Sequence, residues 1–214
     1  VATPAAPDAA PLDPERALGY PYERPRWSFR CWPHHDHVAP VGVLRRGELD
    51  GRAAVLAIGS NAAPDQLRRK FGSHHSGAQP IVVLRAGLRD HDVVFAAMVA
   101  SYGSVPATLL EAPGTTCHVH VTFLDPAQLE HMHETEALGT AYRLEHIDPE
   151  LVEVDLVGRV GSVEAYVANA GPMQLHGSPV ALAAIPADGR TLPALHQPDV
   201  LARLAAGEIV MGGS

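Results

Sequence analysis

Apolar residues in this chain fall into short runs, several of them alternating with polar positions, between Gly, Pro and Asn/Asp breaks. Runs at 81–84, 93–99 and 118–124 read as strands, and those at 142–146, 151–157 and 162–168 follow the same β pattern. An earlier run, Ala54-Val55-Leu56-Ala57-Ile58, stops at Gly59-Ser60-Asn61 and leads into 64–71, where helical spacing carries Leu67, Lys70 and Phe71. Further helices are predicted at 126–137 and 198–206. Strands outnumber helices and the connections are short and mixed, which predicts an α+β fold on a curled, mainly antiparallel sheet.

The start of the chain is different. Residues 1–15 are almost wholly Ala, Pro and Asp, cannot bury enough apolar surface to order themselves, and read as a flexible tail. Residues 16–52 hold Tyr20, Tyr22, Trp27, Phe29 and Trp32 among prolines, the pattern of an irregular arm packed over a body that begins at residue 53.

Two segments carry candidate chemistry. A strand that ends in glycine before a helix presents backbone N–H groups without intrahelical partners, which favour a carboxylate, a phosphate or a developing oxyanion. The plainer reading of Gly59-Ser60-Asn61 is a strand–turn–helix junction. In the 126–137 helix Asp125 suits the N-cap and Pro126 the first turn. At 100° per residue Leu129, Met132, His133 and Glu136 fall within one arc of about 100°, so Glu136 shares the inward face. A carboxylate there costs free energy unless it is paired or used, and proton transfer is one use. The alternative is a helix-end glutamate paired with an arginine such as Arg143.

Composition narrows the function classes. At 214 residues, 46% hydrophobic and 19% charged, the chain has the makeup of a globular protein with one substantial core. A formal charge of −8 argues against a sequence-independent nucleic-acid binder, and the densest basic cluster, Arg68-Arg69-Lys70, reads as the solvated side of a helix. No apolar run approaches the roughly 18–20 residues of a membrane span. The N-terminus has no secretory pattern, although a chain starting at valine allows a longer precursor. Cys31 and Cys117 form no disulfide framework and read as free thiols in a reducing cytoplasm, a single bridge being the other option.

Several short motifs in order give a resemblance. Gly59-Ser60-Asn61 resembles the substrate loop, usually Tyr-Gly-Ser-Asn, of the gamma-glutamylcyclotransferase-like family. Leu88 to Phe95 resembles the family's strand ending in Phe, and Pro106-Ala107-Thr108-Leu109 with Pro113-Gly114 its Ala-Thr…Pro-Gly segment. His118 to Leu124 matches the strand before the helix, and Leu129 to Glu136 resembles the Leu-(x)2-Leu-Asp-x-x-Glu helix, with Tyr142 after it. Ala165-Tyr166-Val167 resembles a later Tyr-containing strand, and the segment from Ala183 to Pro193 a C-terminal Gly-Ala…Gly-Leu-Pro segment. The likeness spans residues 54–204 and departs from the family at Ile58, where an aromatic is usual, and at Ala137, where Gly is.

The resemblance implies a small, twisted, mixed but mostly antiparallel β-barrel with flanking helices, in which 53–214 is the catalytic domain. It aligns Glu136 with the family's catalytic acid and places Ile58, Gly59, Ser60, Asn61 and Tyr142 at substrate-binding positions. It implies a small-molecule substrate with a γ-glutamyl or similar carboxylate-bearing group, neither nucleic acid nor membrane as partner, a homodimer as an admissible assembly, and no cofactor. Family members release 5-oxoproline from γ-glutamyl amines or glutathione. In that chemistry a carboxylate deprotonates the α-amine, which attacks the γ-carbonyl of the same molecule, so positioning does most of the work.

The rival clue is a set of 13 histidines. His118 and His120 lie two apart on a predicted strand and share a side with Thr122, while His133 falls on the inward helix face. Converging, the three would bind Zn²⁺ or Fe²⁺ and make a metal-dependent enzyme of the same scaffold. His34-His35-Asp36-His37 sits apart in the arm. A non-catalytic small-molecule binding module is the third reading.

Overall fold

The computed structural model describes residues 13–209. Most of the expected tail, residues 1–12, lies outside the described residues, and Pro14 and Glu15 belong to a helix. The Asp13 side chain accepts from the Arg16 N–H at 3.0 Å and caps α1 (Pro14–Leu18). The chain continues through β1 (Phe29–Trp32), β2 (His37–Pro40), β3 (Ala53–Ala57), α2 (Pro64–Phe71), β4 (Ile81–Phe95), β5 (Ala107–Leu124), α3 (Pro126–Thr135), β6 (Tyr142–Ile147), β7 (Val152–Val154), β8 (Val163–Ala168) and α4 (Gln197–Ala205). The arm is thus partly regular, because β1 and β2 form a hairpin and β1 also pairs with β4.

β4, β5, β3, β8 and β6 lie side by side in that order, antiparallel except where β3 meets β8. The fold is α+β, but the expected barrel does not close. The other edge of β4 is divided among β1 at residues 81–83, β7 at 86–88 and Ala181 opposite Val94, so no continuous edge remains to receive β6.

Successive strand residues feed two cores. Val55, Ile81, Val83 and Leu124 face α2 and α3, where they pack with Leu67, Phe71 and Met132. Leu56, Val82, Leu84 and Phe123 face the other way and join Val163 and, from α4, Val200. Burial on both faces explains the near-continuous apolar runs. Residues 81–84 and 93–99, expected as separate strands, are bridged into β4, which ends at Phe95. The polar stretch between them keeps the alternation, with Ala86 and Leu88 buried, until a bulge between Arg89 and His91. There Asp90 takes a φ of 57° and accepts from the Gly114 N–H at 2.9 Å.

α3 carries the expected cap: Asp125 accepts from the Gln128 N–H while the Gln128 side chain accepts from the Asp125 N–H. The helix ends at Thr135, two residues short of the expectation, because Glu136 is its C-cap and Ala137 turns left-handed with φ 49°. Cys31 and Cys117 are both free and buried, and burial pushes their thiols up to about 11 and about 12. Among the described residues no helix is long and apolar enough to cross a membrane.

Asp92, fully buried on β4, is gripped by Arg190 through Nε at 2.8 Å and Nη2 at 2.7 Å, and Arg190 also donates to the Ile185 carbonyl at 2.9 Å. This pair pins the C-terminal segment to the sheet. Arg190→Met should cost about 3–5 kcal/mol in urea unfolding, since it strands a buried carboxylate, whereas the Asp92→Asn/Arg190→Met double variant should lose less than the two single losses combined. The Arg30–Glu48 pair, each side chain 12% exposed, holds the Glu48 carboxyl down to about 2 through the guanidinium hydrogen bond. A depressed carboxylate contributes its stability above the unfolded value and loses it as pH falls through the folded one. Glu48→Gln should therefore cost roughly 1 kcal/mol at neutral pH, with the gap to the parent protein closing from about pH 4.5 toward about 2.

Candidate active site

The turn after β3 and the C-terminus of α3 meet at one cavity of about 440 Å³. A buried Ile58 follows β3, and Gly59 turns the chain into a short 3₁₀ turn, Ser60–Ala62, before α2. Asn61 thereby points across to the end of α3, where its Nδ2 donates to Glu136 Oε1 at 2.9 Å. Tyr142 from the start of β6 and Tyr166 from β8 line the same cavity.

Lys70 of α2 completes the contact. Its ammonium is paired with Glu136 Oε1, and the two side chains are only 8% and 15% exposed. Lys70 Nζ also lies 3.3 Å from Met132 Sδ. Lys70 is therefore not on the solvated side of the helix, as the Arg68-Arg69-Lys70 cluster implies by composition. It follows Leu67 by one turn and shares its inward face, a spacing present in the sequence. Arg143, the other partner considered for Glu136, instead pairs with Glu145 and donates to the Ala168 carbonyl at 3.2 Å.

Arg16 also lines the cavity, and its Nε donates to the Tyr22 hydroxyl at 3.2 Å. Asn61 Oδ1 and Gln66 Oε1 are buried acceptors with no hydrogen-bond partner among the described residues. The Tyr142 hydroxyl is pushed above its ordinary range by burial and then by Glu136, so it remains a neutral donor; the same two causes act on Tyr166. The Tyr166 hydroxyl and His133 Nδ1 are hydrogen-bonded at 2.8 Å. The wall thus combines a carboxylate–ammonium pair with neutral hydroxyls, and two unpartnered acceptors lie just beneath it, an arrangement suited to a ligand that carries polar groups of both signs.

Periodicity gives no sign of Tyr20. This arm residue reaches over the glycine of the loop, and its hydroxyl accepts from the Ala107 N–H at 2.8 Å. A Cβ on Gly59 would stand 2.3 Å from the Tyr20 hydroxyl oxygen, so the loop needs glycine for the approach of a tyrosine from elsewhere in the chain. Tyr20 thus puts an aromatic hydroxyl beside Gly59, next to the aliphatic Ile58.

The three histidines of the metal reading do not converge. His133 belongs to this cavity's surround through Tyr166, whereas His118 and His120 line a different cavity. His118 Nε2 bonds Asp188 at 2.9 Å, and His120 is buried. In the arm, His34 bonds the His74 carbonyl at 2.7 Å, His37 packs on Trp32, and Asp36 pairs with Arg68. Among the described residues no group of three or more His, Cys, Asp or Glu is disposed to hold a metal ion.

No family model matches this chain, and no curated protein sequence matches it. Among solved structures, a gamma-glutamyl cyclotransferase overlaps 55% of this chain and 67% of its own, with 15% identity and a TM-score of 0.45. An uncharacterised human protein overlaps 56% and 68%, with 16% identity and a TM-score of 0.44. An Arabidopsis thaliana protein overlaps 56% and 70%, with 14% identity and a TM-score of 0.41. No residue role rests on overlaps of this size.

Gly59→Ala should displace Tyr20 and break its bond to Ala107, costing about 1–3 kcal/mol in chemical denaturation. In a Tyr20→Phe background the clashing oxygen is gone, so the cost of Gly59→Ala should shrink; equal costs in both backgrounds would show that the contact does not govern the loop.

Proposed function

We propose that this cavity binds a γ-glutamyl amine or peptide and releases 5-oxoproline by attack of the substrate's own α-amine, as the resemblance of the motifs from Gly59 to Glu136 implies. The observation that carries the reading is the 2.9 Å bond between Asn61 Nδ2 and Glu136 Oε1, which joins the loop to the acid within one cavity wall.

A γ-glutamyl head group bears an ammonium and a carboxylate on one carbon, and Lys70–Glu136 is the matching pair of opposite charges. On binding, the substrate ammonium takes the place of the Lys70 ammonium against Glu136, where Asn61 Oδ1 and Gln66 Oε1 gain a donor. Lys70 turns to the substrate carboxylate. Each charge keeps a partner, so the exchange avoids leaving an unpaired ion in a partly desolvated site.

Glu136 then accepts a proton from the α-ammonium. The freed amine attacks the γ-carbonyl carbon and the ring C–N bond forms, with Gly59, Ser60 and the Tyr142 hydroxyl bordering the developing oxyanion. The bond to the departing nitrogen breaks as Glu136 returns the proton to it. In all, two protons move from the α-nitrogen to the departing nitrogen, and the product amine leaves as an ammonium ion. Nucleophile and electrophile belong to one molecule, so holding them in contact removes much of the entropic barrier.

Incubation with a panel of γ-glutamyl amines and glutathione should release 5-oxoproline. Glu136→Gln should lower kcat by roughly 100-fold or more with the fold retained by circular dichroism. Lys70→Met should act mainly on KM. Turnover by Glu136→Gln at the parent rate would refute its role as the acid/base, and substrate binding without any 5-oxoproline would leave a binding module.

A further inference from the structure

A second cavity, larger than the one at Glu136, lies elsewhere in the described structure. It has a volume of about 1090 Å³, shares no lining residue with the site above, and lies between the arm and the β4–β5 surface. At its wall Arg24 spends one guanidinium nitrogen, Nη2, on the Ala184 carbonyl at 2.8 Å. Another, Nη1, is buried with no hydrogen-bond partner among the described residues. His120, 5% exposed on β5, likewise has neither ring nitrogen bonded. Burial and then the Arg24 charge hold the imidazole down to about 4, while the Pro25 carbonyl works in the other direction without meeting hydrogen-bond geometry. The ring is therefore neutral near pH 7 and offers one N–H donor.

Buried donors of this kind are costly when left unmade, and folded proteins satisfy nearly all of them. Arg24 and His120 both line the cavity, and these nitrogens lie just beneath its surface, so a guanidinium N–H and an imidazole N–H are left for an oxyanion. The same cavity is lined by Trp27, a large apolar side chain left 53% exposed. Of the acids on the rim, Asp65 is already paired with Arg68, which leaves Glu23 as the acid without such a pair among the described residues.

We infer that this cavity is a second ligand site, separate from the cyclotransferase-like one, and that it takes a small carboxylate carrying a flat apolar body. The Arg24 and His120 side chains shift outward to donate to the carboxylate, and the flat body covers the indole of Trp27. The chemistry is that of binding alone; no bond is made or broken.

The test is titration of the full chain with benzoate, with benzyl alcohol as the neutral counterpart and inorganic phosphate as the anion without a ring. Benzoate should saturably shift the ring ¹⁵N resonances of His120 and raise the melting temperature. Benzyl alcohol and phosphate should each bind at least tenfold more weakly. Arg24→Met should weaken benzoate at least tenfold and Trp27→Ala several-fold, while Lys70→Met should leave it unchanged. No response to benzoate, equal binding of benzyl alcohol or phosphate, or a response lost in Lys70→Met would each overturn the proposal. Should Arg24→Met fail to fold, the contrast among the three probes in the parent protein and the exposed Trp27→Ala variant still decide it. Because the Glu136 cavity is untouched by Arg24 and Trp27, a failure here leaves the 5-oxoproline assay unaffected, and the reverse holds.

Discussion

β4 and β5 exchange backbone pairing from Val82 opposite Phe123 at one end to Phe95 opposite Ala107 at the other, and the positions of the other elements follow from that ribbon. One stretch of β5 supports β3 and so delivers the Gly59 turn, while the opposite end carries Ala107, which holds Tyr20. β4 is read on its free edge by β1, by β7 and by the segment around Ala181, each at a different height. The bulge at Asp90 bends the ribbon, and just beyond it Asp92 turns a buried charge inward to meet Arg190. A long, bent, two-sided ribbon thus fixes both the arm and the C-terminal segment.

Much of this was legible in the sequence, for reasons that can be stated residue by residue. The cap at Asp125, the inward arc through Met132 and Glu136, and the strand–turn–helix around Gly59 are local, and local spacing reports them. The helix end was misjudged because Ala137 adopts a conformation usually given to glycine, so composition offered no stop signal. The bridge between the two halves of β4 was hidden because Arg89, Asp90 and Asp92 look like a loop, and only the pairing with β5 makes them strand. Barrel closure is a property of edges that meet or do not, and periodicity carries no information about edges. The basic neighbours Arg68 and Arg69 disguise Lys70 as a solvated residue, although its distance from Leu67 places it inward.

The candidate site is assembled from contacts of very different range. Asn61 and Glu136 are 75 positions apart, Lys70 and Glu136 66, and Tyr20 and Ala107 87. What unites them is electrostatic economy. A largely buried cation and anion neutralise each other beside the Tyr142 and Tyr166 hydroxyls, and Asn61 Oδ1 and Gln66 Oε1 are buried without a hydrogen-bond partner among the described residues.

The contact between Tyr20 and Gly59 bears on how the protein can be divided. A fragment starting at residue 53 would keep β3, the Gly59 turn and Glu136, yet it would lose the ring that covers the turn and the hydroxyl that holds the Ala107 amide. It would also lose β1 from the edge of β4 and expose Phe29's side of the core. Trimming or grafting projects that treat the arm as packaging would deliver a scaffold with an open-topped site, so the smallest portable unit begins ahead of Tyr20.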